Sequence, residues 1–353
     1  MVISNIRSSV RRGRSIFMNS MLISAVILLL LGLLPVVISN QYVLDVLLRV
    51  MLFAVLALGL NIVVAQAGLL DLGYIAFWGI GAYTTALLSS PRFGLHLNFF
   101  AVLVLSAAAS CIFAIIIGFP TLRLRGDYLA IVTLGFGEIV RIALNNMTPL
   151  TGGPNGIQNV DPPTIFGYTF GYALGQYYYL SWALLVAAVI VVTALFHSRL
   201  GLSWIALRDD ELAARASGIK PLRLYILAFG TGAFFAGLSG SIFARVQGSV
   251  SPDSFVVDQS FMVLAIVVLA GLSRRSWPVL VASAAIIALP EVLRQFQDYR
   301  MVVFGPVLVA AVVIGENRQR LVQLGSLNFG RLRKHFFGAK RIASALVRSQ
   351  EDR

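Results

Sequence analysis

The sequence predicts an all-α, polytopic membrane protein of about ten transmembrane helices with both termini in the cytoplasm. Three observations lead there. Apolar segments long enough to cross a bilayer recur along the 353 residues, and helices satisfy their own backbone in lipid. The chain is 58% hydrophobic and only 12% charged, with a mean hydropathy of +0.85, whereas a soluble domain carries roughly a quarter charged residues. The basic residues are confined to short clusters between apolar segments and to the two ends.

The elements follow in order. A basic stretch, 1–19, holds Arg7, Arg11, Arg12 and Arg14. The apolar run behind it is too long for a signal-peptide core and has no obvious cleavage site, so it reads as a first span. Spans are expected at 20–39, 43–65, 68–88, 98–119 and 128–147. A polar loop rich in Gly, Pro, Asn and Thr then runs over 148–176. Further spans are expected at 177–196, 222–246, 260–272, 277–293 and 301–315, and a basic tail fills 316–353. The chain thus divides into a cytoplasmic N-terminus (1–19), a membrane domain (20–315) with a cytoplasmic loop at 197–221, and a cytoplasmic tail (316–353).

Orientation has an internal test. With the N-terminus inside, the inside segments hold Arg123, Arg125, Arg199, Arg208, Arg215, Lys220, Arg223, Arg274, Arg275 and the basic tail, while the loop 148–176 has no Lys or Arg. This is the positive-inside distribution, and it accounts for the net charge of +13 without nucleic acid. Membrane lipid is the partner that the composition requires. Ten spans make two halves of five, a common inverted-repeat plan in transporters. A faint echo joins Gly73–Tyr83 to Gly232–Phe243, both mixing small residues with aromatics. Close helix packing explains such an echo equally well.

Catalytic constellations are missing from the sequence. His96, His197 and His335 lie far apart, and Cys111 sits alone in an apolar run, which excludes an intrachain disulfide and argues against zinc. A Gly-x-x-x-x-Gly-Lys-Ser/Thr phosphate loop does not occur. The chain is therefore expected to be no enzyme and to bind no cofactor of its own. If ATP drives it, the motor is another polypeptide.

Polar and small residues inside apolar spans carry the information. Glu138 and Arg141 are three apart and share a helix face. Neither tolerates lipid alone, so they line a pathway as a gating pair or brace helices as an ion pair; the pattern supports both. Gly79 and Gly81 admit a close neighbour, with packing the commoner cause. With Tyr83 and Thr133 these residues make up the candidate pathway set. Arg49 lies mid-span, and Asp71 opens the third span in a capping position.

The charged stretch 200–222 stands apart from its apolar surroundings. Asp209, Asp210 and Glu211 suit a helix start. Glu211 and Arg215 have the favourable i,i+4 order. Gly218 suits the residue just past the helix, and Pro221 bars continuation. Leu212, Ala213 and Ala216 give the short helix one small apolar face. A solvated connector and a docking helix both fit this pattern.

Several stretches together resemble the membrane permeases of bacterial ABC importers for branched-chain amino acids, the LivM-like family. These are Leu58-Gly-Leu-Asn61; Gly68-Leu-Leu-Asp-Leu-Gly-Tyr-Ile-Ala-Phe77 with Gly79-Ile-Gly-Ala-Tyr83; Leu122-Arg-Leu-Arg-Gly-Asp-Tyr128 leading into 131–141; and Leu150-Thr-Gly-Gly-Pro-Asn-Gly156. The resemblance runs over about 43–313. It implies an ABC importer permease fold, a second related permease, two cytoplasmic ATPase subunits that bind ATP and Mg, and a periplasmic solute-binding protein. It implies that Arg208, Asp209, Glu211, Ala213, Ala214 and Gly218 belong to a coupling loop, whose helix near 209–217 docks on an ATPase. It implies branched-chain or other hydrophobic amino acids as cargo in the inner membrane. Urea, amides or other amino acids by the same mechanism, or an ion-coupled secondary transporter using Glu138, are the alternatives.

Two departures stand out. Arg274 and Arg275 replace small residues in Ala270-Gly-Leu-Ser-Arg-Arg-Ser-Trp-Pro278, and Gly315-Glu-Asn-Arg-Gln-Arg320 replaces the usual ending. The two arginines are expected to strengthen contact with the ATPase or with anionic lipid. Normal ATPase retention and transport by the double Gly variant would count against that role.

Overall fold

The computed structural model describes residues 20–36 and 40–292, except 123, 125, 166, 172 and 173. The expected tenth span, both basic ends, Arg123, Arg125 and His335 lie outside the described residues. The long helices are α1 (Ser20–Val36), α2 (Gln41–Asn61), α3 (Ile75–Leu88), α4 (Phe99–Thr121) and α5 (Asp127–Asn146). A short α6 (Thr148–Thr151) precedes α7 (Leu174–His197), and the charged stretch forms α8 (Arg199–Asp209) and α9 (Glu211–Ala216). The remainder is α10 (Pro221–Gln247), α11 (Val257–Leu269) and α12 (Ser276–Val292). Among the described residues, five helical segments are long and apolar enough to cross a membrane: Gln41–Gln66, Phe99–Thr121, Leu174–His197, Pro221–Gln247 and Pro252–Leu269. Ser20–Val36, Ile75–Leu88 and Ser276–Glu291 are shorter apolar helices.

Helix starts follow sequence cues. Asn40 caps α2 by accepting from Tyr42 N, and Asn98 caps α4 by accepting from Phe100 N, each satisfying an orphan donor. Pro221 stands in the first turn of α10, where its missing N–H costs nothing.

The core is the crossing of α3, α4 and α10. Small residues let the backbones meet. A Cβ on Gly81 would lie 2.5 Å from Gly237 Cα, and one on Gly240 would lie 2.3 Å from the Trp78 carbonyl. The segments Gly73–Tyr83 and Gly232–Phe243, which echo each other in sequence, are thus the surfaces of α3 and α10 that pack together. Buried hydroxyls tie the same crossing. Thr85 Oγ1 and Ser106 Oγ are 2.7 Å apart, and Ser110 Oγ donates to the Phe77 carbonyl at 2.8 Å. Small residues and hydroxyls of this kind hold membrane helices together where no hydrophobic drive exists.

The expected third span differs from the observed one. Residues 68–74 are not helical, and α3 begins only at Ile75. The break starts upstream, where α2 passes into a π-helical turn, Ile62–Gln66. Gly68 then takes φ +74, a left-handed conformation that glycine adopts without steric cost. Gly73 is pressed so closely on the Thr133 carbonyl that no Cβ fits. Unwound backbone at membrane depth needs internal partners, and it has them. Leu72 N donates to Thr133 Oγ1 (3.1 Å), Gly73 N to Asp71 Oδ1 (2.9 Å) and Ile75 N to Ser260 Oγ (3.2 Å).

The two ends of the bundle differ. One end gathers 89–98, 148–170 and 248–256. There β1 (Ile157–Gln158) pairs antiparallel with β4 (Ser249–Val250), and β2 (Thr164–Ile165) with β3 (Tyr168–Thr169). The buried Arg245 clamps this end by donating to the Asp161 carbonyl (3.1 Å) and Ser89 Oγ (2.9 Å), with Phe99 beneath its guanidinium. The opposite end carries α8 and α9.

Candidate functional site

The helix expected near 209–217 is α9, Glu211–Ala216, and a separate helix, α8, precedes it. Asp209 closes α8, and Asp210 caps α9 by accepting from Leu212 N (2.9 Å) and Ala213 N (3.0 Å). The carboxylate at this position also meets the positive end of the helix dipole. Glu211 accepts from Arg215 Nη2 at 2.5 Å, the i,i+4 pair that the spacing predicts. Gly218 ends α9 with φ +84, and Ile219 N returns to the Ala214 carbonyl. The motif that closes α9 is therefore the one read from Gly218.

The face that α9 presents is unusual. Leu212 is 76% exposed, and Ala213 and Ala216 beside it are exposed too, while Ala214 is buried toward the bundle. The small apolar face read from the sequence therefore points outward from the protein end.

Behind α9, α8 is fastened to the bundle. Ser198 caps it through Gly201 N. Gly201 lies against the Leu195 and Phe196 carbonyls. Trp204, fully buried, donates its indole N–H to the Leu224 carbonyl at 2.8 Å, binding α8 to the first turn of α10. Arg208 reaches inward and donates to the Ala65 carbonyl in the π-helical turn. A cavity of about 610 Å³ opens beside it, lined among others by Gly68, Asp127, Arg208, Glu211 and Arg215. Arg274, at the same end, donates to the Phe196 carbonyl at 3.2 Å, and Arg275 is exposed.

The pathway candidates do not converge on one cavity. Gly79 faces the Phe255 ring, and Gly81 faces the Gly237 backbone. Tyr83 and Thr133 are buried, and Thr133 supports the unwound segment through Leu72 N. Glu138 and Arg141 pair with each other: Arg141 Nε donates to both carboxylate oxygens at 3.0 Å, and Nη2 to Oε1 at 2.5 Å. Their side chains are 36% and 27% exposed on the outward side of α5. Arg49 pairs with Asp45 at 3.0 Å, one turn away.

Pairing makes the charge on α5 tolerable in an apolar setting, so each partner should depend on the other. Glu138→Gln is expected to lower the melting temperature of the solubilised protein by several degrees, because Arg141 loses the carboxylate that accepts its charge-assisted hydrogen bonds. The double variant Glu138→Gln/Arg141→Gln should recover most of the loss. Equal destabilisation in single and double variants would show that the pair does not act as a unit.

Two structural features are not visible in the sequence. The π-helical turn lies in a mostly apolar run with no helix breaker before Gly68. Arg245 reads as an ordinary basic residue at a helix end. Only Gln66, a polar residue within that run, signals the first.

Comparison with known proteins fits this architecture. The family described as the branched-chain amino acid transport system permease component matches residues 42–330. The high-affinity branched-chain amino acid transport system permease protein LivM of Salmonella typhimurium is 41% identical over 301 residues, covering 79% of this chain and 70% of the relative. LivM of Escherichia coli is 40% identical over the same shares. A probable branched-chain amino acid transport permease protein LivM of Methanocaldococcus jannaschii is 26% identical over 59% of this chain and 63% of its own. No solved structure matches the chain. With five membrane-length helices among the described residues and a family match over most of its length, the chain belongs to the branched-chain amino acid transport system permease family.

Proposed function

We propose that this chain is one permease subunit of an ATP-driven importer that moves branched-chain or other hydrophobic amino acids across the inner membrane by alternating access. It works with a second related permease, two cytoplasmic ATPase subunits and a periplasmic solute-binding protein, and ATP and Mg are held by the ATPases. The membrane domain has ten spans, with both termini and α8–α9 in the cytoplasm. The observation that carries this reading is α9: a capped short helix, tethered to the bundle behind, that exposes Leu212, Ala213 and Ala216. Apolar surface held out at a protein end is a surface for a partner. At a cytoplasmic end rich in Arg and Lys, an ATPase groove is the partner that the resemblance supplies.

The test is recovery of the permease from native membranes, identification of its partners, and ATPase assay with binding protein and amino acids. Recovery of ATPases and a second permease, with turnover stimulated by leucine or valine, is the expected result. Stimulation by urea or another solute alone would move the cargo. A permease free of ATPase, with proton-dependent uptake abolished by Glu138→Gln, would overturn the reading.

A further inference from the structure

We infer that Arg208 is a coupling strut: it carries movement of the α8–α9 pair to the unwound segment at 62–74, and that segment is the part of the membrane domain that rearranges during transport. The inference deepens the importer reading and rests on it.

The connection has four parts on the structure. Arg208 is the last basic residue of α8, one residue before Asp209 ends the helix. Its guanidinium donates to the carbonyl of Ala65, inside the π-helical turn. A π turn shifts the hydrogen-bond register and leaves carbonyls that a side chain can take, and such turns concentrate at functional positions. The aliphatic stem of Arg208 lies over Gly68, where a Cβ would come 2.7 Å from Arg208 Cγ. Arg208 therefore holds the break from two sides, by a charged hydrogen bond to Ala65 and by contact with Gly68.

The lever behind it is stiff. Trp204 binds α8 to α10, and Gly201 binds it to the end of α7. The exposed face of α9 and Arg208 are separated only by the extended residue Asp210, whose side chain caps α9. Beside the strut lies the cavity of about 610 Å³ between 67–70, 126–129 and α8–α9. It gives the lever room to travel.

The element at the far side of the strut carries the signs of a second arrangement. Gln66 is fully buried, and among the described residues neither its amide oxygen nor its nitrogen has a hydrogen-bond partner. A buried amide in this position is a polar group set against the break itself, inside the π-helical turn that Arg208 holds. The backbone from Leu72 to Ile75 is held by side chains of α5 and α11, not by a helix ladder. Side-chain bonds from two different helices break and remake when those helices shift. Discontinuous helices form the solute and ion sites of many transporters, and packed elements switch between discrete arrangements.

The experiment uses the complete complex in proteoliposomes, with binding protein and radiolabelled leucine, and measures leucine imported per ATP hydrolysed. Wild type establishes that the two are coupled; an uncoupled or ATPase-free wild type would sink the importer reading itself. Arg208→Ala is expected to retain its ATPases on purification and to lower the ratio by about tenfold or more, the worth of a charged hydrogen bond. Arg208→Lys, which keeps a charged donor group on a shorter fork-less side chain, should restore much of it. A purely structural role would reduce the amount of complex and leave the ratio alone. If Arg208→Ala does not accumulate, Arg208→Gln is read by the same ratio. An unchanged ratio in a coupled background overturns the strut, and so does loss of the ATPases, which would make Arg208 a docking residue.

Discussion

Gly81→Leu will leave almost no folded permease in the membrane. The argument is steric. A Cβ at Gly81 would lie 2.5 Å from Gly237 Cα and 2.7 Å from the Gly237 carbonyl oxygen. These are backbone atoms, so no rotamer change relieves the contact. Gly237 has no room to retreat, because its own Cβ position is 2.7 Å from the Ser106 carbonyl and 2.8 Å from Ala107 Cα. Three helices are thus locked at one level, and a side chain at Gly81 forces α3, α4 and α10 apart together. Inserting methylenes into an adaptable core costs about 1–3 kcal/mol. Here the core does not adapt, and the cost approaches the ~5–15 kcal/mol that holds a typical protein folded. The hydroxyl bonds between Thr85, Ser106, Ser110 and the Phe77 carbonyl would be lost with the crossing. Size-exclusion profiles of fluorescently tagged, solubilised protein read the outcome. Gly135→Leu is the control, since nothing lies within 4 Å of a Cβ there, and it should give a wild-type peak. A monodisperse Gly81→Leu peak of wild-type height would show that the crossing opens freely.

The five membrane-length helices among the described residues were legible because hydropathy and length are enough to mark them, and turn residues punctuate the loop after α5. The two ends of α9 were legible for a local reason: Asp210 and Gly218 act on backbone groups within a few residues of themselves. What the sequence concealed depends on partners far along the chain. Residues 68–74 look apolar enough to continue a helix. They unwind because Gly73 must pass the Thr133 carbonyl and because Thr133, Asp71 and Ser260 stand ready to accept the freed N–H groups. Gly79 and Gly81 were readable as residues of close approach, but not their neighbours, since Phe255 and Gly237 are more than a hundred residues away. Arg208 was placed in a coupling loop by resemblance. Its bond to Ala65 is invisible to periodicity, because it joins a helix end to a carbonyl 143 positions distant.

Leu212→Glu is expected to strip the ATPases from the permease while leaving the permease itself folded. At 76% exposure the side chain makes almost no contact with its own chain, so the substitution falls among surface changes worth within ~0.5 kcal/mol of stability. Glu in the first turn even suits the helix dipole. The Asp210 cap, which holds α9 through Leu212 N and Ala213 N, uses backbone donors that the change does not touch. Binding is another matter. A large apolar residue at the centre of a short exposed face, flanked by Ala213 and Ala216, has the place of an anchor, and removing an anchor costs about 2–4 kcal/mol or more. Placing a carboxylate in an apolar groove adds the cost of desolvating an unpaired charge. Together these predict at least a ~30-fold loss of ATPase affinity. Co-purification with the ATPases, followed beside the melting temperature of the permease alone, separates the two effects. Loss of both would mean that Leu212 supports the fold. Retention of the ATPases with an unchanged melting temperature would remove α9 as the docking element, and with it the strongest physical reason to treat α8 and α9 as a lever.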